Sequence, residues 1–157
     1  MFILSYANFS TAYRRYAQLD QKSLFDLLGW ADPAGLPGHA ANGAVLTSLA
    51  LLAAGIPVNG SVKIEAGPLA GSKAINGANR LAEWLAQRHT APEILSLDAG
   101  MPGIVDSLLG RRGIVAFIQG TGPAGGMIGL LDGRNAGALC RAAEHKHPLA
   151  VHFWALN

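Results

Sequence analysis

The chain is poor in cysteine and poor in charge. Of its 157 residues only Cys140 is a cysteine. No disulfide can form within the chain and no cysteine-built zinc site is possible, and one thiol leaves the redox compartment unread. Asp, Glu, Lys and Arg together make up 14%, a low share for a globular domain, so much of the chain must be buried or lie against a partner. The formal charge of +2 gives no electrostatic footprint for a nucleic-acid partner. The basic doublets, Arg14-Arg15 and Arg111-Arg112, read as solvated surface. Long apolar runs are lacking too. The longest, Ala44–Val58, is about fifteen residues and is interrupted by Thr47, Ser48, Gly55 and Pro57. That falls short of the roughly twenty needed to cross a bilayer, so it reads as a buried helix and a membrane partner is not expected. Met1–Leu4 is apolar, but without a basic region before it or enough length for a secretory signal.

What is present points to one mixed domain spanning residues 1–157. Half the residues are hydrophobic and twenty are glycine, which implies many turns and close backbone approaches. Phe9, Ala12, Tyr13 and Tyr16 have helical spacing, and Ser10 can cap that helix. A short helix is predicted over Gln21–Leu28, stopped by Gly29, followed by a Pro- and Gly-rich loop to Gly43. Asn42 caps a helix from about Gly43 to Ala54, which Gly55 and Pro57 end. A short strand is expected over Ser61–Glu65, a helix over Ala78–Arg88 and a short helix or turn over Ile104–Leu109. Strands are expected at Arg112–Gln119, Met127–Leu131 and Leu149–Leu156, with Asp132-Gly133 as a turn signal. Helices first and strands last argue for an α+β fold with an antiparallel sheet.

A papain-like amidase needs a cap and a cysteine at the start of a buried helix, whose dipole helps to make thiolate. Much later it needs a histidine at the start of a strand packed on that helix, then a polar group to orient it. The segment Asn42-Gly43-Ala44-Val45-Leu46-Thr47-Ser48-Leu49, running on through Ala54-Gly55-Ile56-Pro57-Val58, resembles the nucleophile helix of the type VI secretion amidase effectors, family four. That family has Asn-x-Cys before an apolar helix ending in Gly, an apolar residue and Pro. Phe9–Tyr16 resembles its first helix, Gly113–Phe117 its Gly-Ile-Val strand, Gly126–Gly133 its Gly-His strand, and Phe153–Leu156 its closing strand. The likeness is weakest over residues 17–40 and 59–77. The resemblance implies a papain-like (NlpC/P60-like) fold and descent from small toxins that cut peptide bonds in peptidoglycan. It also implies synthesis in a bacterial cytoplasm and type VI delivery to a target-cell periplasm.

The departures concern the chemistry. Counted back from Gly55, the family's cysteine falls at Gly43, or at Ala44 with a slip of one. Its histidine falls at Met127 and its acid, eleven residues on, at Ala138. A set of Gly43, Met127 and Ala138 offers neither nucleophile nor base, and losing both removes most of what such a unit supplies. The degenerate groove is expected to be lined by His39, Asn42, Gly43, Ala44, Met127 and Asp132, and to take a peptide, glycan, lipid or protein partner. No cofactor and no metal are expected.

Other residues offer rival chemistry. Cys140 near His145 and His147 reads either as a Cys/His pair or as a surface or half-buried thiol beside a solvated loop. His145, His147 and His152 are too few and too poorly supported by acids for a metal site. His39 reads as an exposed loop histidine or a ligand contact. Thr47 and Ser48 are conceivable nucleophiles, but bonding back to the helix or packing on the sheet is the simpler role. Gly120-x-Gly122-x-x-Gly125 spells a dinucleotide fingerprint, yet a strand follows it where a helix N-terminus is required. The leading expectation is an inactive amidase-like binding protein. The alternatives are an active peptidoglycan amidase using other residues, and a membrane-disrupting toxin.

Overall fold

The computed structural model describes residues 4–30, 42–120, 125–145 and 147–157. Three helices near the start share one starting device. Ser5, Asp20 and Asn42 each accept a backbone N–H three residues on, from Asn8 (3.1 Å), Ser23 (2.7 Å) and Val45 (2.9 Å). These bonds satisfy amides that have no partner inside the helix. They open α1 (Tyr6–Ala17), α2 (Gln21–Leu28) and α3 (Gly43–Ala53). The predicted cap Ser10 is inside α1, its buried hydroxyl donating back to the Ala7 carbonyl at 3.3 Å, so the helix starts earlier than its apolar spacing suggested. Gly29 closes α2 in the left-handed conformation, φ 76°, as a glycine cap does. The expected loop over residues 31–41 lies outside the described residues.

The remaining elements are β1 (Val62–Lys63), β2 (Lys73–Ala74), α4 (Ala78–Arg88), β3 (Glu93–Leu95), α5 (Gly100–Leu108), β4 (Arg112–Ile118), β5 (Met127–Asp132), α6 (Ala136–Glu144) and β6 (Ala150–Ala155). The strand expected over Ser61–Glu65 shrinks to β1, which pairs only with β2. The main sheet is antiparallel with strand order β3-β6-β4-β5. Neither β3 nor α6 is among the elements expected from the sequence, and α5 begins four residues earlier than expected. Asp132-Gly133 does not make a hairpin: β4 lies between β5 and β6, and the turn leads into α6.

Both faces of the sheet are covered. Ile114, Ala116, Ile128, Leu130 and Trp154 face α1, α3 and α4, while Val115, Phe117, Leu131, Val151 and Phe153 face α5 and α6. That is why β4 is apolar from Gly113 to Phe117 without alternation; a strand covered on both sides has no solvent face to mark. The basic doublet Arg111-Arg112 is more than solvated surface. Arg111 makes a two-pronged contact with Glu93 (2.8 and 2.9 Å) and stacks 4.4 Å over Phe153, and Arg112 lies 4.7 Å over Tyr6. The Arg111 hydrogen bonds hold the Glu93 carboxyl below its ordinary pKa.

α3 is the centre of the packing. Val45 and Leu49 join Tyr16, Leu24, Leu28 and Trp30 on one side, while Ala44, Ala50 and Leu51 join the core above the main sheet. A helix apolar all round belongs inside protein or lipid, and here protein encloses it. Among the described residues no helix is long and apolar enough to cross a membrane. Its two buried hydroxyls differ. Ser48 donates to the Ile75 carbonyl (3.0 Å) and accepts from the Ile75 amide (3.1 Å), tying α3 to the segment before α4. Thr47 is fully buried, and its hydroxyl has no hydrogen-bond partner among the described residues.

Two outcomes follow from this packing. Thr47→Val should raise stability by about 1 kcal/mol, because it removes an unpaired buried hydroxyl; a lower denaturation midpoint would mean that the hydroxyl has a partner, such as a bound water. Leu49→Asp should abolish cooperative unfolding, since it loses about 2–5 kcal/mol of burial and adds an unpaired buried charge. A folded variant with unchanged melting would place α3 outside the core.

Candidate functional site

The site forms where the start of α3 meets the start of β5. Asn42 does two jobs there. Its Oδ1 caps α3, and its Nδ2 donates to the Asn76 carbonyl at 3.3 Å, fixing the helix start against the approach to α4. Gly43 then passes so close to β5 that a Cβ on it would stand 2.0 Å from the Ile128 carbonyl oxygen. No side chain fits without moving backbone. Ala44 follows, buried, with its methyl in the core.

These elements enclose a cavity of about 180 Å³. Asn42, Gly43 and Ala44 form one wall, Asn76 and Ala78 a second, and Gly126, Met127 and Ile128 a third. None of these lining residues is ionisable. α3 carries no acidic residue in its first turn, so the positive end of its dipole reaches the cavity without a side-chain charge to offset it. Ala44 offers a methyl group. Met127, half-buried and also packed toward α5 and α6, offers a thioether, which accepts hydrogen bonds weakly and does not take up a proton near neutral pH.

Four of the six groove residues expected from the sequence are therefore together: Asn42, Gly43, Ala44 and Met127. Asp132 is not with them. It is at the other end of β5, five residues from Met127 and about 17 Å away at strand rise, paired across the ladder with Arg112. Its carboxylate accepts from the Arg134 (2.8 Å) and Asn135 (2.9 Å) amides, holding the turn into α6. His39 lies outside the described residues. Ala138 is exposed in the first turn of α6 and does not line the cavity. Of the two positions at the helix start, 43 has no room for a side chain, whereas Ala44 carries one and lines the cavity. Sequence reasoning missed Asn76, Ala78, Gly126 and Ile128; the Asn76-Gly77 pair just ahead of the α4 pattern and the Gly125-Gly126 pair just ahead of β5 were the available signals.

The rival residues are placed elsewhere. The hydroxyl of Ser48 is committed to Ile75 on both its donor and acceptor sides, and Thr47 is fully buried. Cys140 is neither surface nor half-buried: it packs beneath α5 and α6 at 2% exposure. Burial pushes its thiol pKa up, away from the thiolate that reactivity needs. His145 and His147 are exposed after α6, while burial lowers the pKa of His152 on β6. Among the described residues no three His, Cys, Asp or Glu side chains converge as a metal site. Gly126 runs directly into strand β5, so no helix N-terminus follows the glycine pattern. From the Gly43 geometry, Gly43→Ala should cost about 1–3 kcal/mol in chemical denaturation, whereas Ala44→Cys should cost less. The reverse order would mean that a side chain fits at 43.

Comparison with known proteins agrees with this architecture. A family model described as type VI secretion system (T6SS) amidase effector protein 4, Tae4, matches residues 40–154. No curated protein matches. Among solved structures, the chain is similar to Tae4 from the effector–immunity system Tae4/Tai4 of Salmonella typhimurium (16% identity, TM-score 0.70, 99% of this chain and 100% of that one). It is similar also to Tae4 in the Tae4–Tai4 complex of Enterobacter cloacae (17%, TM-score 0.70, 99% and 100%) and to the Enterobacter cloacae effector alone (17%, TM-score 0.66, 99% and 98%). The fold is the α+β, papain-like fold of those structures, and the chain belongs to the type VI secretion amidase effector family 4.

Proposed function

We propose that this chain is a catalytically inactive member of its family, delivered by or associated with type VI secretion, which acts by holding a ligand in the cleft between α3 and β5. One observation supports the reading: Ala44 and Met127, the positions to which the resemblance assigns the nucleophile and its base, line the same cavity. Amide hydrolysis needs an activated nucleophile and an acid for the leaving amine. A methyl and a thioether supply neither; Ser48, Thr47 and Cys140 are buried, and the Ser48 hydroxyl is committed to Ile75.

What the cleft keeps is the capacity to bind. Its walls combine carboxamides, backbone and apolar side chains, a mixture suited to an uncharged stretch of ligand. Two ligands fit this chemistry and the family: a peptidoglycan fragment, or a loop of a protein partner. Relatives of the family have been solved as effector–immunity complexes, which supports an immunity-type protein as the second. Action in the periplasm of a target cell follows from the same reading.

The test uses purified muropeptides, with cleavage followed by mass and binding by calorimetry. The native chain should bind without cleaving. Ala44→Cys alone should not give turnover, because a thiol without its imidazole stays mostly protonated near neutral pH. Ala44→Cys combined with Met127→His is the smallest change that supplies both groups, and only that pair should yield a trace of product. Cleavage by the native chain, lost on changing Ser48, His39 or Cys140, would replace this reading with an active enzyme built on other residues.

A further inference from the structure

The glycine pattern at 120, 122 and 125 has no phosphate to hold, and yet its two ends are fixed by side chains. Asn79, second residue of α4, is the centre of the arrangement. Its Nδ2 donates to the Gln119 carbonyl and its Oδ1 accepts from the Gln119 amide at 3.1 Å. The carboxamide thus pairs with backbone as a neighbouring strand would. The Asn79 amide donates to the Gly125 carbonyl at 3.1 Å, and the Gln119 side-chain oxygen accepts from the Gly126 amide at 3.2 Å. Gly126 has φ +85°, and a Cβ there would stand 2.5 Å from the Phe117 oxygen and 2.6 Å from Asn79 Oδ1. Gly126 and Met127 form one wall of the cavity, and Ala78, the neighbour of Asn79, belongs to the wall beside it.

We propose that Asn79, acting through Gln119 and Gly126, is a positioning residue of the cleft: it sets where the Gly126–Met127 wall stands relative to Ala44. The inference rests on the reading of the cleft as a binding site. It differs from a general stabilising role in being local. Loss of the clamp frees one wall of the cavity and leaves the far end of β5, around Leu131, in place.

Amide hydrogen exchange by NMR on the full chain tests this directly. Asn79→Ala should lower protection at Gln119 and Gly126 about tenfold, roughly the loss of one or two net hydrogen bonds, with Leu131 unchanged within about twofold. Asn79→Asp provides the rescue. A carboxylate accepts from the Gln119 amide but repels its carbonyl, whereas a protonated carboxyl donates and accepts like the carboxamide. Protection should therefore be low at neutral pH and return toward the native value below about pH 4. Arg80, Glu83 and His152 line the groove beside Asn79, so the native chain is measured at both pH values to remove their contributions. Lower protection everywhere, or no acid rescue, overturns the proposal. Purified muropeptides then separate this proposal from the one it rests on. Binding about tenfold weaker for Asn79→Ala supports both. Equal binding despite freed amides overturns the positioning role. No binding by the native chain, with the local exchange pattern intact, removes the binding reading and leaves Asn79 as the residue that places the wall.

Discussion

The backbone of α3 meets the backbone of β5 at Gly43, where only a hydrogen fits beneath the Ile128 carbonyl oxygen. Much of the structure depends on that contact. Bringing a helix start so close to a strand requires its first amides to be satisfied without bulky side chains, and Asn42 does this from one side while also reaching Asn76. It requires the helix to run into the core, so α3 carries no charged residue along its length and is enclosed on both sides. It leaves a small space beside the junction, bounded by the positive end of a helix and the first residues of a strand. In a papain-like fold a nucleophile and its base meet at such a junction. Here the junction is lined by Ala44 and Met127.

Apolar groups at such a junction need not weaken the fold. A thiolate and an imidazolium taken out of water carry a desolvation cost that their attraction only partly offsets, and replacing such a pair with apolar groups of similar volume is often neutral or stabilising. A methyl at 44 and a thioether at 127 fit that description. The fold is shared with solved relatives at 16–17% identity, and in this chain it rests on backbone approach and two-sided burial: a helix that can touch β5, and a sheet apolar on both faces. Such constraints restrict size and polarity more than identity, so the fold tolerates wide divergence in sequence.

The parts of the fold legible in the sequence were those with local causes. Asp20 and Asn42 bond amides three residues away, and Ile114–Ile118 is β-branched and apolar because both its faces are covered. β3 was not legible: Glu93–Leu95 is a strand only because β6 lies beside it, and Glu93 and Ile94 are exposed. α6 was legible but overlooked. Ala136, Leu139, Cys140 and Ala143 have the i, i+3, i+4, i+7 spacing of a buried stripe. In the site, the order of segments along the chain was enough to bring Ala44 and Met127 together. It could not decide between 43 and 44, because the deciding contact is with a carbonyl more than eighty residues away in sequence. Asp132 misled because a carboxylate near a strand end has a local use, bonding the amides of the next turn, that a sequence cannot separate from a distant one.

The same reasoning explains why Asn79 and Gln119 escaped notice. Neither type signals chemistry, and forty residues separate them. Their meaning comes from where they stand: Gln119 follows β4 and Gly126 precedes β5. A rigid helix supplies the placement, lending Asn79 from its first turn to both ends of the connection. A cleft that performs chemistry must hold its groups within a fraction of an ångström. A cleft that only binds can be looser, but here one helix, α4, supplies Ala78 to one wall and, through Asn79, ties down the approach to Gly126 and Met127 in the next.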